Sequence, residues 1–315
     1  MTNDIDMAVL LMAYGTPDTL DDVEPYYTHI RRGRKPPPEL LEELIERYKL
    51  VGGRTPLSDI SEATRQGLEE RLNSEGESRY RVFLGMKHWH PYIRQTVEEM
   101  AREGVTRAVG LVLAPHFSSM SIAGYYEYID AAQKDLGTSI EIYPIESWHL
   151  HPPYLRAVAD RVQRKLADFL CGSDVTVVFT AHSLPQKIVA QNDPYPEQLR
   201  ETSDALASRL NLSRWTFSYQ SAGHTPEPWL GPDLVDTVHA LADQGVRNIL
   251  VASIGFVSDH LEILYDIDYE AQAAARERDI TLKRIDMLNA SPDFLEGLAE
   301  LVRRRVADVE VGAPT

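Results

Sequence analysis

A single cysteine, Cys171, is all that the 315 residues contain. That rules out an intramolecular disulfide, and one thiolate cannot supply the usual four ligands of an iron–sulfur cluster; Cys171 reads most simply as a structural residue near the end of a helix. Long apolar runs are lacking too. No window approaches the roughly 18 residues of a membrane span, so no integral membrane segment is expected. The first twelve residues include Asp4 and Asp6 and no basic stretch, unlike a secretory signal, and the expected location is the cytoplasm. Positive charge is scarce, with 32 Lys and Arg against 48 Asp and Glu and a formal net charge of −16. Displacing counterions from phosphates needs an extended basic surface, so nucleic acid is not expected as a partner. Also missing are a Gly-x-Gly-x-x-Gly turn after the first strand, a phosphate-binding P-loop and a Gly-x-Ser-x-Gly elbow. Nucleotide-dependent and serine-hydrolase chemistries thereby lose their usual warrants.

What is present is an average globular composition, 43% hydrophobic and 25% charged, with no sign of disorder. Short β-branched runs alternate with longer stretches of helical period, the pattern of βα units and a parallel sheet. Strands are predicted at Met7–Ala13, Tyr80–Met86, Ala108–Leu113 and Ile140–Ile145, then at Val175–Thr180, Trp215–Tyr219, Asn248–Ile254 and Leu282–Ile285. Four and four predict an α/β fold of two Rossmann-like domains, each a four-stranded parallel sheet flanked by helices. Their expected bounds are 1–146 and 147–290. A helix from Trp148 to Leu170 leads into the second, and an amphipathic last helix at about 291–307, with Pro292–Val306 as its body, is available to pack back on the first.

In open α/β sheets ligands sit beyond the carboxyl ends of the strands. Strand one ends in Ala13-Tyr14-Gly15-Thr16-Pro17 and strand five in Ala181-His182-Ser183-Leu184-Pro185, so Tyr14 and His182 stand where chemistry is expected. A neutral imidazole there can take a proton or coordinate a divalent metal; the plainer alternative is a hydrogen-bonded structural histidine. After strand seven, Ser258 to Glu270 should open a helix in which Glu262, Asp266 and Glu270, spaced i, i+4, i+8, share one face. Like charges at that spacing repel, and a local rule broken in this way often marks a functional site. A row of oxygen ligands suits a divalent cation that must move. The alternative is a capping box between Asp259 and Glu262 with the other acids in water.

Gly85-Met86-Lys87-His88-Trp89-His90-Pro91 and Ala114-Pro115-His116-Phe117-Ser118 end strands two and three, and His88 reads as a ligand contact rather than a tight metal ligand. Arg31, Arg32, Arg34 and Lys35 form a basic run in an acidic chain. It is either a solvated loop or a clamp for carboxylates, to which Arg is suited. Trp229, in the proline-rich loop Pro226 to Pro232, could stack on a flat macrocycle or simply pack that loop.

The segments Met12 to Pro17, Tyr26 to Arg34, Leu113 to Ser118, Thr180 to Pro185 and Gly255 to Glu262 together resemble ferrochelatase motifs, from residue 7 to about residue 306. The likeness is greatest to the soluble, monomeric enzymes of Gram-positive and related bacteria that make coproheme from coproporphyrin III. The resemblance implies a porphyrin cleft between the two domains, with His182 and Glu262 facing one another to accept pyrrole protons and guide iron. Tyr14 would approach the metal from the other face, and Asp266 with Glu270 would extend the carboxylate path. Arg31 and Arg32, Thr55, Lys87, Ser121 and its neighbour Tyr125 would engage propionates. It further implies Fe2+ as substrate, no organic cofactor, a monomer, and a heme-handling enzyme as downstream partner. Rival readings are a protoporphyrin IX ferrochelatase, a cobalt or nickel chelatase, and a non-catalytic tetrapyrrole carrier, which would have no need of the acidic ladder.

Overall fold

The computed structural model describes residues 6–74, 79–170, 174–223 and 225–312; Cys171 lies outside them. In chain order the elements are β1 (Met7–Ala13), a 3-10 turn (Leu20–Asp22), α1 (Val23–Ile30), α2 (Pro38–Leu50), α3 (Leu57–Asn73), β2 (Tyr80–Met86), α4 (Ile93–Arg102), β3 (Arg107–Val112), α5 (Ala123–Leu136) and β4 (Glu141–Ile145). There follow α6 (Pro152–Leu166), β5 (Val175–His182), α7 (Lys187–Ala190), α8 (Tyr195–Leu210), β6 (Trp215–Gln220), α9 (Leu234–Asp243), β7 (Asn248–Ser253), α10 (Leu261–Leu264), a π-helical turn (Asp266–Ala271), α11 (Gln272–Glu277), β8 (Thr281–Arg284) and α12 (Pro292–Gly312).

The strands form two four-stranded sheets, ordered β2-β1-β3-β4 and β6-β5-β7-β8, and every pairing is parallel. Parallel strands covered on both faces need no alternation of polar and apolar residues. Accordingly, all seven residues of β1 are buried. Around the second sheet, Val178, Ile249 and Val251 pack with Val238, Ile263, Ile267 and Ala275 into one apolar core.

The predicted α/β architecture is the one observed, and the strands agree with their predicted spans to within a residue or two. β5 runs on to His182, which pairs in register with Gln220. The helix predicted from Trp148 to Leu170 is confined to Pro152–Leu166, where Pro152 and Pro153 occupy the first helical positions, a place in which their missing N–H groups cost nothing.

The described residues divide into two compact units. The first holds those within Met1–Ala114, Ser121–Trp148 and Asn289–Thr315, so α12 counts with it; the second holds Pro115–Met120 and His149–Leu288. In the first unit the Trp148 and Phe294 rings lie 6.0 Å apart. In the second, Asp193 Oδ2 accepts from Ser118 Oγ at 3.0 Å and from the Ser119 amide at 2.7 Å. Gln198 Oε1 accepts from the Phe117 amide at 2.7 Å, and these bonds claim the six-residue segment for that unit. Among the described residues no helix is long and apolar enough to cross a membrane.

One glycine is sterically required where β7 hands over to the segment bearing Glu262. A Cβ on Gly255 would lie 2.5 Å from Ala181 Cβ and 2.9 Å from Ala181 Cα, too close for any side chain without moving the end of β5. Gly255→Ala is therefore expected to cost about 1–3 kcal/mol, typical of overpacking, read from the midpoint of urea unfolding. An unchanged midpoint would mean that the two strand ends have slack.

Candidate active site

In the second sheet the chain winds from β5 outward to β6 on one side and from β7 to β8 on the other, which makes the carboxyl ends of β5 and β7 the crevice where such sheets bind ligands. His182 is the last residue of β5. Its Nδ1 bonds to the Ser183 carbonyl. A carbonyl can only accept, so Nδ1 carries the proton and Nε2 is left with its lone pair. Tyr195 Oη donates to the His182 carbonyl at 2.9 Å and holds the backbone there. Burial pushes the imidazole below its ordinary pKa, partly offset by the negative charge of Glu262; at neutral pH His182 is an uncharged base.

Beyond β7 the chain reaches His260, whose backbone is fully extended just before α10. Its Nδ1 lies 2.9 Å from the Ser258 carbonyl and its Nε2 lies 3.0 Å from Glu262 Oε2. Burial alone would lower the His260 pKa, but the carboxylate and the two bonds outweigh it and raise it. Burial would likewise raise Glu262, yet the facing imidazole brings it down to about 2. The pairing thus favours the charged form of each partner. Gln220 fixes the Glu262 backbone, donating from Nε2 to its carbonyl at 2.9 Å while its Oε1 accepts from Thr180 at 2.8 Å.

The continuous α-helix expected from Ser258 to Glu270 is not what forms. α10 is one turn, a π-turn follows, and the Glu270 amide bonds to the Tyr265 carbonyl five residues back at 2.9 Å. Nor does the alternative capping box form: His260 takes the cap position, and Asp259 pairs with Arg284 at 3.0 Å. Asp266 is buried and accepts from Ser221 Oγ, and Ser221 itself adopts a left-handed backbone at φ +61°. Glu270 is half-buried at the far end of the same turn. Among the described residues no three or more His, Cys, Asp or Glu side chains converge closely enough to cage a metal ion. His182, Glu262, Asp266 and Glu270 are thus not one closed ligand set; His182, Glu262 and Asp266 bond to Ser183, His260 and Ser221 in turn.

Aromatic groups surround this pair. Phe256 lies 6.2 Å from the His182 ring and 4.4 Å from His260. Trp229 is half-buried 6.5 Å from His182, its indole donating to Thr225 Oγ1 at 2.9 Å. Its loop is pinned beside β5 by Leu230 N to Leu184 O, 2.9 Å.

In the first unit the β1–β2 pairing continues past the strands, with Lys87 N to Ala13 O and His88 N to Tyr14 O both at 2.9 Å. This sets Tyr14, 41% exposed, with its ring 4.7 Å from that of His88. His88 is buried and pushed down to about 3 by that burial, with Lys87 and His29 adding to it. Its Nδ1 is 3.1 Å from His29 Nδ1. Lys87 donates to the Ser121 carbonyl at 3.1 Å and lies 4.7 Å from the centre of the buried Tyr125 ring. Burial brings it down to about 8, with Glu127 opposing and Arg32 assisting. Ser121 contributes its carbonyl to this contact. Thr55 is buried, its hydroxyl 2.9 Å from that of Thr16. Arg31 lies 5.8 Å from the Tyr27 ring with a buried Nε that has no hydrogen-bond partner among the described residues. Arg32 is exposed at φ +56°. Of the basic run, Lys35 is paired with Glu24 at 2.9 Å.

Sequence reasoning quoted His260, His29, Ser221 and Gln220 only in passing or not at all. His260 alone carried a signal, two residues before an acid already singled out. The expected outcome at this pair is a titration: His260 should titrate above the ordinary value of about 6.5, so its share of stability is present below that value and lost as pH rises through its raised pKa. The Glu262 share is present above about pH 4.5 and lost on acidification toward 2. In Glu262→Gln the carboxylate's pull is gone while burial remains, so the His260 imidazole resonance should titrate lower than in the wild type; an unmoved titration would contradict the pairing.

A sequence profile of the ferrochelatase family matches residues 6–306. A ferrochelatase of Herpetosiphon aurantiacus is 45% identical over 297 residues, covering 94% of this chain and 97% of that one. A coproporphyrin III ferrochelatase of Halalkalibacterium halodurans is 42% identical, covering 96% and 98%. A Thermus thermophilus ferrochelatase is 44% identical, covering 94% and 98%. Among solved structures, SirB of Bacillus subtilis with Fe3+ superimposes with a TM-score of 0.59 at 12% identity, covering 97% of this chain and 98% of that one. CbiX, described as the terminal enzyme of siroheme biosynthesis in denitrifying bacteria, gives 0.54 at 12%, covering 94% and 98%; at such identities the likeness concerns the fold. On the extent of the sequence match, the chain belongs to the ferrochelatase family, enzymes of heme biosynthesis that insert metal into a porphyrin.

Proposed function

We propose that this ferrochelatase inserts Fe2+ into coproporphyrin III to give coproheme, releasing two protons. The observation that carries the mechanism is an uncharged His182, its Nε2 lone pair unprotonated, within the electrostatic reach of a Glu262 kept ionised by His260. A planar porphyrin hides its nitrogen lone pairs, so binding energy spent on bending the ring exposes them and lowers the barrier. His182 takes the two pyrrole protons in turn, passing the first to water before it accepts the second, and Glu262 supplies negative charge and an oxygen ligand as iron sheds water. Asp266 and Glu270 lead toward Glu262 as a string of oxygen donors, which hold Fe2+ loosely enough to pass it on. Tyr14 and His88 contact the macrocycle near the metal, and Trp229 offers a stacking surface beside His182.

Coproporphyrin carries four propionates where protoporphyrin carries two. The first unit supplies Arg31, Arg32 and Lys87 near one another, with Tyr125, Ser121 and Thr55 beside Lys87 or the β1 loop; Arg pairs bidentately with carboxylates. Several relatives are named for coproporphyrin III, which also favours this substrate. Neither an organic cofactor nor an iron–sulfur cluster enters the reaction; the lone Cys171 could not ligate a cluster. The enzyme works as a cytoplasmic monomer and delivers coproheme to a heme-handling enzyme.

The test is anaerobic turnover of Fe2+ with coproporphyrin III and with protoporphyrin IX in detergent-free buffer, followed by absorbance of the product. Coproporphyrin should be the better substrate. His182→Ala and Glu262→Gln should each lose about 100-fold or more in kcat, as expected for removing a general base or its partner, while still shifting the porphyrin spectrum on binding. A clear advantage for protoporphyrin would reverse the substrate, and wild-type turnover by His182→Ala would end the mechanism.

A further inference from the structure

Arg284, the last residue of β8, makes a set of contacts that the reaction as described does not use. Its Nε and Nη2 grip Asp268 Oδ1 and Oδ2 at 2.8 and 2.9 Å, a bidentate pair. The same Nη2 stands 3.0 Å from Asp259 Oδ1, and Nη1 donates to the Ile285 carbonyl at 3.1 Å. The Arg284 side chain is only 18% exposed and that of Asp259 only 20%.

The two acids it joins bracket the metal-handling segment. Asp259 precedes the His260–Glu262 pair, and Asp268 sits in the middle of the π-turn that carries Asp266 and Glu270. Asp259, Glu262, Asp266, Asp268 and Glu270 crowd five acids into twelve residues. Like charges so placed would push the turns apart. A π-turn also holds one residue more than the α-helical ladder accommodates, so side chains outside the turn have to keep it in register. Lysine could supply the charge but not the planar fork that spans two carboxylates.

The geometry points to Arg284 as a positioning residue for metal insertion: by joining Asp259, just before the His260–Glu262 pair, to Asp268 in the π-turn, it fixes where the turn carrying Asp266 and Glu270 stands relative to Glu262. This rests on the reading of Glu262 as essential, and the experiment separates the two. Turnover would be measured for Arg284→Lys, Asp268→Asn and the double variant, with Glu262→Gln alongside and thermal melts of each. Expected is a roughly tenfold loss of kcat in each single variant, the size seen when a group orienting a ligand is removed, with KM for porphyrin unchanged and the double variant no worse than either single. Wild-type kcat in Arg284→Lys or Asp268→Asn, losses that multiply in the double, or a rise in KM with kcat kept would each overturn the inference. Asp268→Asn is isosteric and carries the test if Arg284→Lys fails to fold. A fully active Glu262→Gln would instead sink the underlying reading, whatever Arg284 does.

Discussion

A carboxylate that must meet a cation has to stay ionised in a place that dehydrates it, and Glu262 meets that requirement through His260. The imidazole gives one N–H to Ser258 and the other to Glu262. Burial by itself favours the neutral form of both groups, and their mutual attraction, with the Ser258 carbonyl helping on the imidazole side, outweighs it. The neighbouring His182 lacks such a pairing and stays neutral. Two histidines near one aromatic ring, Phe256, are therefore biased in opposite directions, His260 toward its charged form and His182 toward its neutral one. In the proposed reaction that split would supply both a base for pyrrole protons and a negative charge for iron.

Backbone construction supports the split from beneath. Gln220, opposite His182 in register, holds the Glu262 carbonyl, and Thr180 with Ser253 orients the Gln220 amide. These bonds join the ends of β5, β6 and β7, so His182 and Glu262 share one rigid frame. In the first unit the post-β1 loop depends on Gly15, whose φ of +96° and close approach to the Trp89 amide leave no room for a side chain. That loop presents Tyr14 beside His88.

Much of the fold was legible because parallel strands buried on both faces read as unbroken apolar runs, and Met7–Ala13 and Val175–Thr180 are such runs. Strand ends then located Tyr14, Lys87, His88 and His182 without coordinates. The π-turn was not legible. Its acids are held by Ser221 and Arg284, forty-five residues before Asp266 and sixteen after Asp268, and periodicity within one segment cannot register partners so far away. Asp259 misled for the same reason: an acid before a helix is a natural cap, yet here a distant arginine claims it. His29 also escaped notice, since nothing on α1 announces that its ring meets His88.

The central claim, that iron enters at His182 and Glu262, is tested most directly by anomalous scattering from a crystal soaked with Fe2+ without oxygen. The account expects a peak within bonding distance of His182 Nε2 and a Glu262 oxygen, with any further sites following Asp266 and Glu270. Iron bound instead by Tyr14 and His88, with nothing at His182 or Glu262, would contradict it.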